Sequence, residues 1–227
     1  MQGGPELSDC MVDGHGCILQ DRDVRSFLSE RNLARVFDFA KGDRVFEAKR
    51  KVVGFYLICE GIVREISYSS SGEKVTLSLF KRGNVLFGDD FFLDENYRET
   101  TAVSVTSSKV LMIEREAFPE LMSLAGRRLG RKIAMNKRRL RRRLELAPCS
   151  VLESIAFWLM RLISDSGELT ISISNKELAD IVGCSPVTLS RKLGELQEKG
   201  MIDKSGRELK VTNRKGLEDE IVCVSPS

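Results

Sequence analysis

Between Ser174 and Gly200 the chain reads SNKELADIVGCSPVTLSRKLGELQEKG, two helix-forming runs separated by a three-residue break. Ser174, with Glu177 three residues on, is a capping box that opens NKELADIV, and Gly183 closes that run. Ser185 caps the second run and Pro186 stands at its first position, where a missing N–H costs nothing; Gly200 ends it after PVTLSRKLGELQEK. Two short helices joined this tightly form a helix-turn-helix. The segment MIDKSGRELKVTN that follows reads as a hairpin wing turning at Ser205 and Gly206, and ELTISI ahead of it reads as a short strand. Further upstream, APCSVLESIAFWLMRLISDSG gives a linker and then a helix with an apolar face through Val151, Ile155, Trp158, Leu159 and Leu162.

A different pattern occupies residues 115–146. Met122, Ala125, Leu129, Ile133, Asn136, Leu140 and Leu144 recur at steps of three and four, the period of one long helix with a narrow apolar seam. Such a seam suits a helix that pairs with a copy of itself, with Asn136 setting the register. Gly126 and Gly130 weaken its first half by up to about 1 kcal/mol each. The segment carries 11 basic and 3 acidic side chains, against 15 and 18 in residues 1–114 and 10 and 12 in residues 147–227. The positive balance of the whole chain, +3, therefore sits on this one helix.

Between residues 40 and 114 the period shortens again. FYLICEG, REISYSS, VTLSLF and TAVSVTS are rich in β-branched and aromatic residues, with turns at Gly42, Gly61, Gly72 and Gly83, which predicts a compact antiparallel β-roll or barrel. A short helix over DRDVRSFLSERNLARVF is expected to pack against it. The chain of 227 residues has room for this domain and one smaller module. The predicted class is α+β: an antiparallel β-roll in residues 1–114 with its N-terminal tail and helix, a dimerisation helix in 115–146, and a winged helix-turn-helix in 147–227.

No run of eighteen apolar residues is present, and MQGGPELSDCMVDGHG carries acids and no apolar core, unlike a secretory signal. A cytoplasmic protein without membrane contact is expected. The six cysteines, at 10, 17, 59, 149, 184 and 223, show no framework spacing, so mostly free thiols are expected. With one histidine, no P-loop and no zinc spacing, the chain does not read as an enzyme or as a metal protein.

A β-roll, one long helix and a C-terminal winged helix-turn-helix, in that order, resemble the bacterial CRP/FNR family of transcription regulators over nearly the whole chain. ELADIVGCSPVTLSRKLGELQEKGMI is similar to the family's DNA-binding signature in its turn glycine, its T-[hydrophobic]-S-R core and its GxI ending. The resemblance implies a homodimer on palindromic double-stranded DNA, with RNA polymerase as a protein partner and a small-molecule effector. The DNA-binding residues carried over are Ser185, Pro186, Val187, Thr188, Ser190, Arg191 and Lys192. Ser185 and the helix N-terminus suit a backbone phosphate, and Arg191 suits guanine O6/N7 or a phosphate. Many relatives carry a glutamate where Val187 stands. Valine accepts no hydrogen bond but packs against a thymine methyl, so an A·T-rich, TTAAT-like half-site is expected in place of a TTGAT-like one.

In cyclic-nucleotide-binding relatives the pocket signature resembles FGE followed by R-[ST]-A. Here LFGDDFFLDENYRETTAV keeps Phe87, Gly88 and Asp89 but sets Glu99 at the phosphate position, with Arg98 one residue off. A carboxylate facing a phosphate is repulsive, so an effector other than cAMP is expected. VFDFAKG, GNVLFG, RKIA and VTLSR also look like the halogenated-phenol sensors of dehalorespiring anaerobes, a likeness that implies Asn84 and Lys132 beside a phenolate. The effector set is then Asn84, Gly88, Asp89, Arg98 and Lys132, and the effector is small and anionic or aromatic. Alternatives stay open: thiol redox at Cys10 or Cys17, haem on His15 or a cysteine, or a cyclic nucleotide after all.

Overall fold

A computed structural model describes residues 17–69, 72–93, 95–146, 149–163 and 169–222. The chain divides into two compact units, Met1–Ser67 with Leu77–Leu140, and Tyr68–Thr76 with Arg141–Ser227.

The first unit opens with a 3-10 turn, Ile18–Gln20, and helix α1, Arg22–Glu30, whose N-cap Asp21 accepts the N–H of Asp23. The helix is shorter than the sequence suggests. Asn32 takes a left-handed backbone (φ 54°), and the N–H of Leu33 turns back to the carbonyl of Leu28. ARVFDF then forms strand β1, Ala34–Phe39, because its aromatic and β-branched residues pair antiparallel with a later strand rather than continue a helix.

The remaining strands are β2 (Arg44–Phe46), β3 (Gly54–Glu60), β4 (Ile62–Tyr68), β5 (Lys74–Lys81), β6 (Val85–Leu86), β7 (Thr101–Ser104) and β8 (Ser108–Glu114), with a short helix α2, Asp89–Phe92. They form two four-stranded sheets, ordered β1-β8-β3-β6 and β2-β7-β4-β5, the β-roll expected from the sequence. Gly54 is required where β3 meets β8, since a Cβ there would lie 2.0 Å from the carbonyl oxygen of Ile113. A ring cluster of Phe55, Phe87, Phe91 and Phe118 fills one end of the core, with centroids 5.0–6.3 Å apart.

Helix α3 runs Phe118–Glu145 but is broken at Ala125, whose backbone (φ −134°, ψ 24°) is not helical. The break comes just before Gly126, the first of the two weak positions in the sequence. Ala125 and Leu129 are buried in the core of their own β-roll and Ile133 packs against it, while Leu144 is 74% exposed. Asn136 donates from Nδ2 to the carbonyl of Val85 at 2.8 Å, so its amide ties the helix to its own domain.

In the second unit, Ser150 and Glu153 form a capping box for α4, Val151–Leu162, which buries Ile155, Trp158, Leu159 and Leu162. Strand β9, Thr170–Ser172, leads to α5, Asn175–Val182, with the expected capping box of Ser174 and Glu177 and a left-handed Gly183 (φ 83°) as its stop. Helix α6, Pro186–Glu198, follows with Ser185 as N-cap and proline at its first position. The wing is the hairpin β10 (Ile202–Ser205) and β11 (Glu208–Val211), with β9 added to it. A last helix, α7, Arg214–Asp219, is capped by Asn213, whose side chain accepts the N–H of Gly216.

Cys17 and Cys184 are free thiols, but Cys59 and Cys149 are disulfide-bonded, against the expectation from spacing. Sequence spacing says nothing about which sulfurs the fold brings together.

Candidate nucleic-acid interface and effector cavity

Helix α6 is anchored by one stripe and offers another. Leu189, Leu193 and Leu196 are buried at helical spacing. On the opposite side Val187, Ser190 and Arg191 are exposed, and Gly194 continues the same line one turn further. Val187 is 81% exposed, so it belongs to the open face and not to the core. A valine this exposed adds little packing to the folded unit.

The polar residues of the motif divide into engaged and open. Ser185 Oγ accepts the N–H of Thr188 at 3.1 Å and donates to the Thr188 hydroxyl at 2.9 Å, so both side chains serve the cap while the backbone of the first turn faces outward. Lys192 donates to both carboxylate oxygens of Glu195 at 2.7 and 2.8 Å, and that bond holds the Glu195 carboxyl below its ordinary range. Lys199 pairs with Glu220 at 2.9 Å. Lys204 donates to the carbonyl of Gly206, and burial lowers its ammonium below the usual lysine range. Arg191 and Arg207 are exposed and make no ion pair among the described residues. Internal pairs therefore occupy Lys192 and Lys199, which leaves Arg191 in the middle of the exposed stripe as its open cation.

The first unit holds a cavity of about 400 Å³, within the range of small-molecule sites. Its wall is aromatic and aliphatic, with Phe80, Phe87, Phe92 and Ile133, and its polar groups come from Glu65, Ser78, Glu99, Thr100, Asn136 and Lys137. Glu65 lies in β4 and is 7% exposed; its Oε1 accepts the hydroxyl of Thr100 at 2.8 Å.

Of the effector residues read from the sequence, Gly88 lines this cavity and three others do not. Arg98, 2% exposed, donates to the carbonyls of Phe87 and Gly54 and lies 4.5 Å over the ring of Phe46. It braces the strands behind the cavity. Lys132 donates from Nζ to the carbonyl of Gly83 at 2.6 Å, and burial pushes its ammonium below the usual lysine range. Asn84 Oδ1 accepts the Lys81 N–H at 3.0 Å and an Arg139 N–H at 2.8 Å. The side chain of Asp89, and Cys10 and His15, lie outside the described residues. Cys17 is 2% exposed in the hydrophobic core, a placement that shields its sulfur from oxidants. Among the described residues no group of three or more His, Cys, Asp or Glu is placed to hold a metal, and no helix is long and apolar enough to cross a membrane.

Glu65 was not singled out by sequence reasoning. The available signal was an acid beside Arg64 and Ile66 in a strand-forming stretch that opens on Ile62 and Val63.

Residues 36–124 match the family model described as a cyclic nucleotide-binding domain, and residues 153–220 match a Crp-like helix-turn-helix domain. The chain is 30% identical over 192 residues to the cyclic AMP receptor protein of Thermus thermophilus, covering 83% of this chain and 86% of that one. Among solved structures it is similar to FixK2 from Bradyrhizobium japonicum, with TM-score 0.69 and 20% identity over 86% of this chain and 98% of that one. It is also similar to the c-di-GMP responsive global regulator CLP of Xanthomonas campestris, with TM-score 0.64 and 22% identity over 82% and 98% of the two chains.

Proposed function

The chain belongs to the CRP/FNR family of DNA-binding transcription regulators, and from that premise we propose that it acts as a cytoplasmic homodimer on an A·T-rich palindrome, switched by a small effector other than cAMP. The observation that carries this reading is the exposed stripe of Val187, Ser190 and Arg191 at the start of α6, opposite the buried leucines. The first turn of such a helix reaches base edges in the major groove. Arg191 supplies a guanine or phosphate contact, and Val187 supplies apolar contact with a thymine methyl. Two copies meet half-sites one helical turn apart, and RNA polymerase is the partner at the promoter.

The effector cavity is the one lined by Phe80, Phe87, Phe92, Gly88 and Glu65. Binding there shifts an existing equilibrium between chain pairs that match the half-site spacing and those that do not. A relative bears the name cyclic AMP receptor protein, which favours a cyclic nucleotide as the second reading. Glu65 and Glu99 in the cavity wall weigh against it, because carboxylates repel a cyclic phosphate in a partly desolvated site. The test is fluorescence anisotropy of a labelled palindrome with the purified chain, with stoichiometry read at saturation. Two chains per palindrome, with an affinity that falls steeply with salt, is the expected result. One chain per duplex, or no shift, refutes the reading.

A further inference from the structure

Ser78, in β5, is 3% exposed, and its Oγ has no hydrogen-bond partner among the described residues. Ser78 and Phe80 lie two residues apart in the strand and so share one of its faces, and both line the cavity. Burying a hydroxyl without a partner is unfavourable, so this one is matched to something that enters the space beside it. The other polar groups of the wall are engaged or wet. Glu65 accepts the Thr100 hydroxyl, Asn136 donates to the Val85 carbonyl and accepts from Arg139, and Glu99 and Lys137 are exposed. Around Ser78 the surface is apolar and largely aromatic, with Phe80, Phe87, Phe92, Leu86 and Ile133, which suits a flat ring system.

We infer that the effector of this cavity is a neutral, flat aromatic carbonyl compound: rings seated against Phe80 and Phe87, with an uncharged oxygen accepting from Ser78 Oγ. A hydroxyl carries one proton and two lone pairs, and an unmet donor is the rarer defect in a folded chain, so the ligand brings the acceptor. A neutral acceptor fits because one hydroxyl bond does not offset the desolvation of a buried charge. This rests on the reading of the cavity as the effector site, and it narrows the anionic-or-aromatic class suggested by the sequence to an uncharged aromatic. The rings supply affinity, and Ser78 selects among flat groups by their polar atom.

The test uses the full-length chain and three two-ring probes of one shape, 2-acetylnaphthalene, 2-ethylnaphthalene and 2-naphthoate, by equilibrium dialysis, with palindrome affinity measured at saturating ketone. The ketone is expected to bind the wild type about tenfold or more tighter than the carboxylate. Ser78→Ala weakens ketone binding by about three- to tenfold and leaves the ethyl compound within about twofold. The same substitution does not lower the thermal midpoint of the unliganded chain, because it removes a buried group that has no partner there. If Ser78→Ala weakens both probes equally or neither, if naphthoate binds as tightly as the ketone, or if no probe binds, the ligand class is wrong. A lowered midpoint shows that Ser78 Oγ is already matched in the free chain and overturns the inference as well. If the ketone binds with the expected dependence on Ser78 and leaves palindrome affinity unchanged, the ligand class stands and the reading of the cavity as the effector site fails instead.

Discussion

The Nζ of Lys132 on α3 donates to the backbone carbonyl of Gly83, in the turn between β5 and β6, at 2.6 Å. This bond fastens the first unit's long helix to its own β-roll, at a position that the sequence suggested for ligand contact. Desolvation holds the ammonium below the ordinary lysine value of 10.5, so the folded chain binds this proton less tightly than the unfolded chain does. Stability from this group is thus lowest at neutral pH and grows as pH rises through the folded value toward 10.5. The stability of the wild type relative to Lys132→Met is expected to increase between pH 7 and pH 10, measured by urea unfolding. A flat or falling difference refutes the assignment.

Arg98 is expected to be structural. Its guanidinium is buried, bonds to two backbone carbonyls and lies over Phe46. Arg98→Ala leaves both carbonyls without this donor and opens a void, at a cost of about 3 kcal/mol or more. Chemical denaturation of the variant reads this directly, and an unchanged midpoint contradicts it.

Arg191 should behave in the opposite way. It is exposed and forms no ion pair among the described residues, so Arg191→Ala leaves thermal stability within about 0.5 kcal/mol of the wild type. Palindrome binding is expected to weaken by about 1–3 kcal/mol, with relaxed specificity at one position if the contact is to guanine. A uniform loss across sequences with a shallower salt dependence assigns the contact to phosphate.

Gly194 lies inside α6 with open space where a Cβ would stand. Gly194→Ala therefore gains helix propensity, about 0.5–1 kcal/mol, at no packing cost within the chain. Calorimetry is expected to show the C-terminal unit melting a few degrees higher, and a lower midpoint refutes it.

The architecture was legible because its boundaries rest on local chemistry. Ser174, Glu177, Gly183, Ser185 and Pro186 each act within one turn of themselves, and the structure keeps every one in its role. The helix ending at Glu30 was misjudged because RVF has no local stop; its pairing with β8, about 75 residues away, decides it. The cavity was less legible for the same reason. Lys132, Arg98 and Asn84 carry polar groups that suit a ligand, but which acceptor each one meets is set by backbone carbonyls distant in sequence. Glu65 shows the reverse, a residue with no motif around it that β4 turns into the cavity wall.

The most direct test compares two palindromes that differ only at the half-site step facing Val187, TTAAT against TTGAT, for the wild type and for Val187→Glu. Val187 is 81% exposed, so the substitution leaves folding intact. By anisotropy titration the wild type is expected to prefer the A·T duplex by about 1–3 kcal/mol, and Val187→Glu to reverse the order by accepting from cytosine N4. Equal binding of both duplexes by the wild type, with no reversal in the variant, would contradict the assignment of this face of α6 to the DNA.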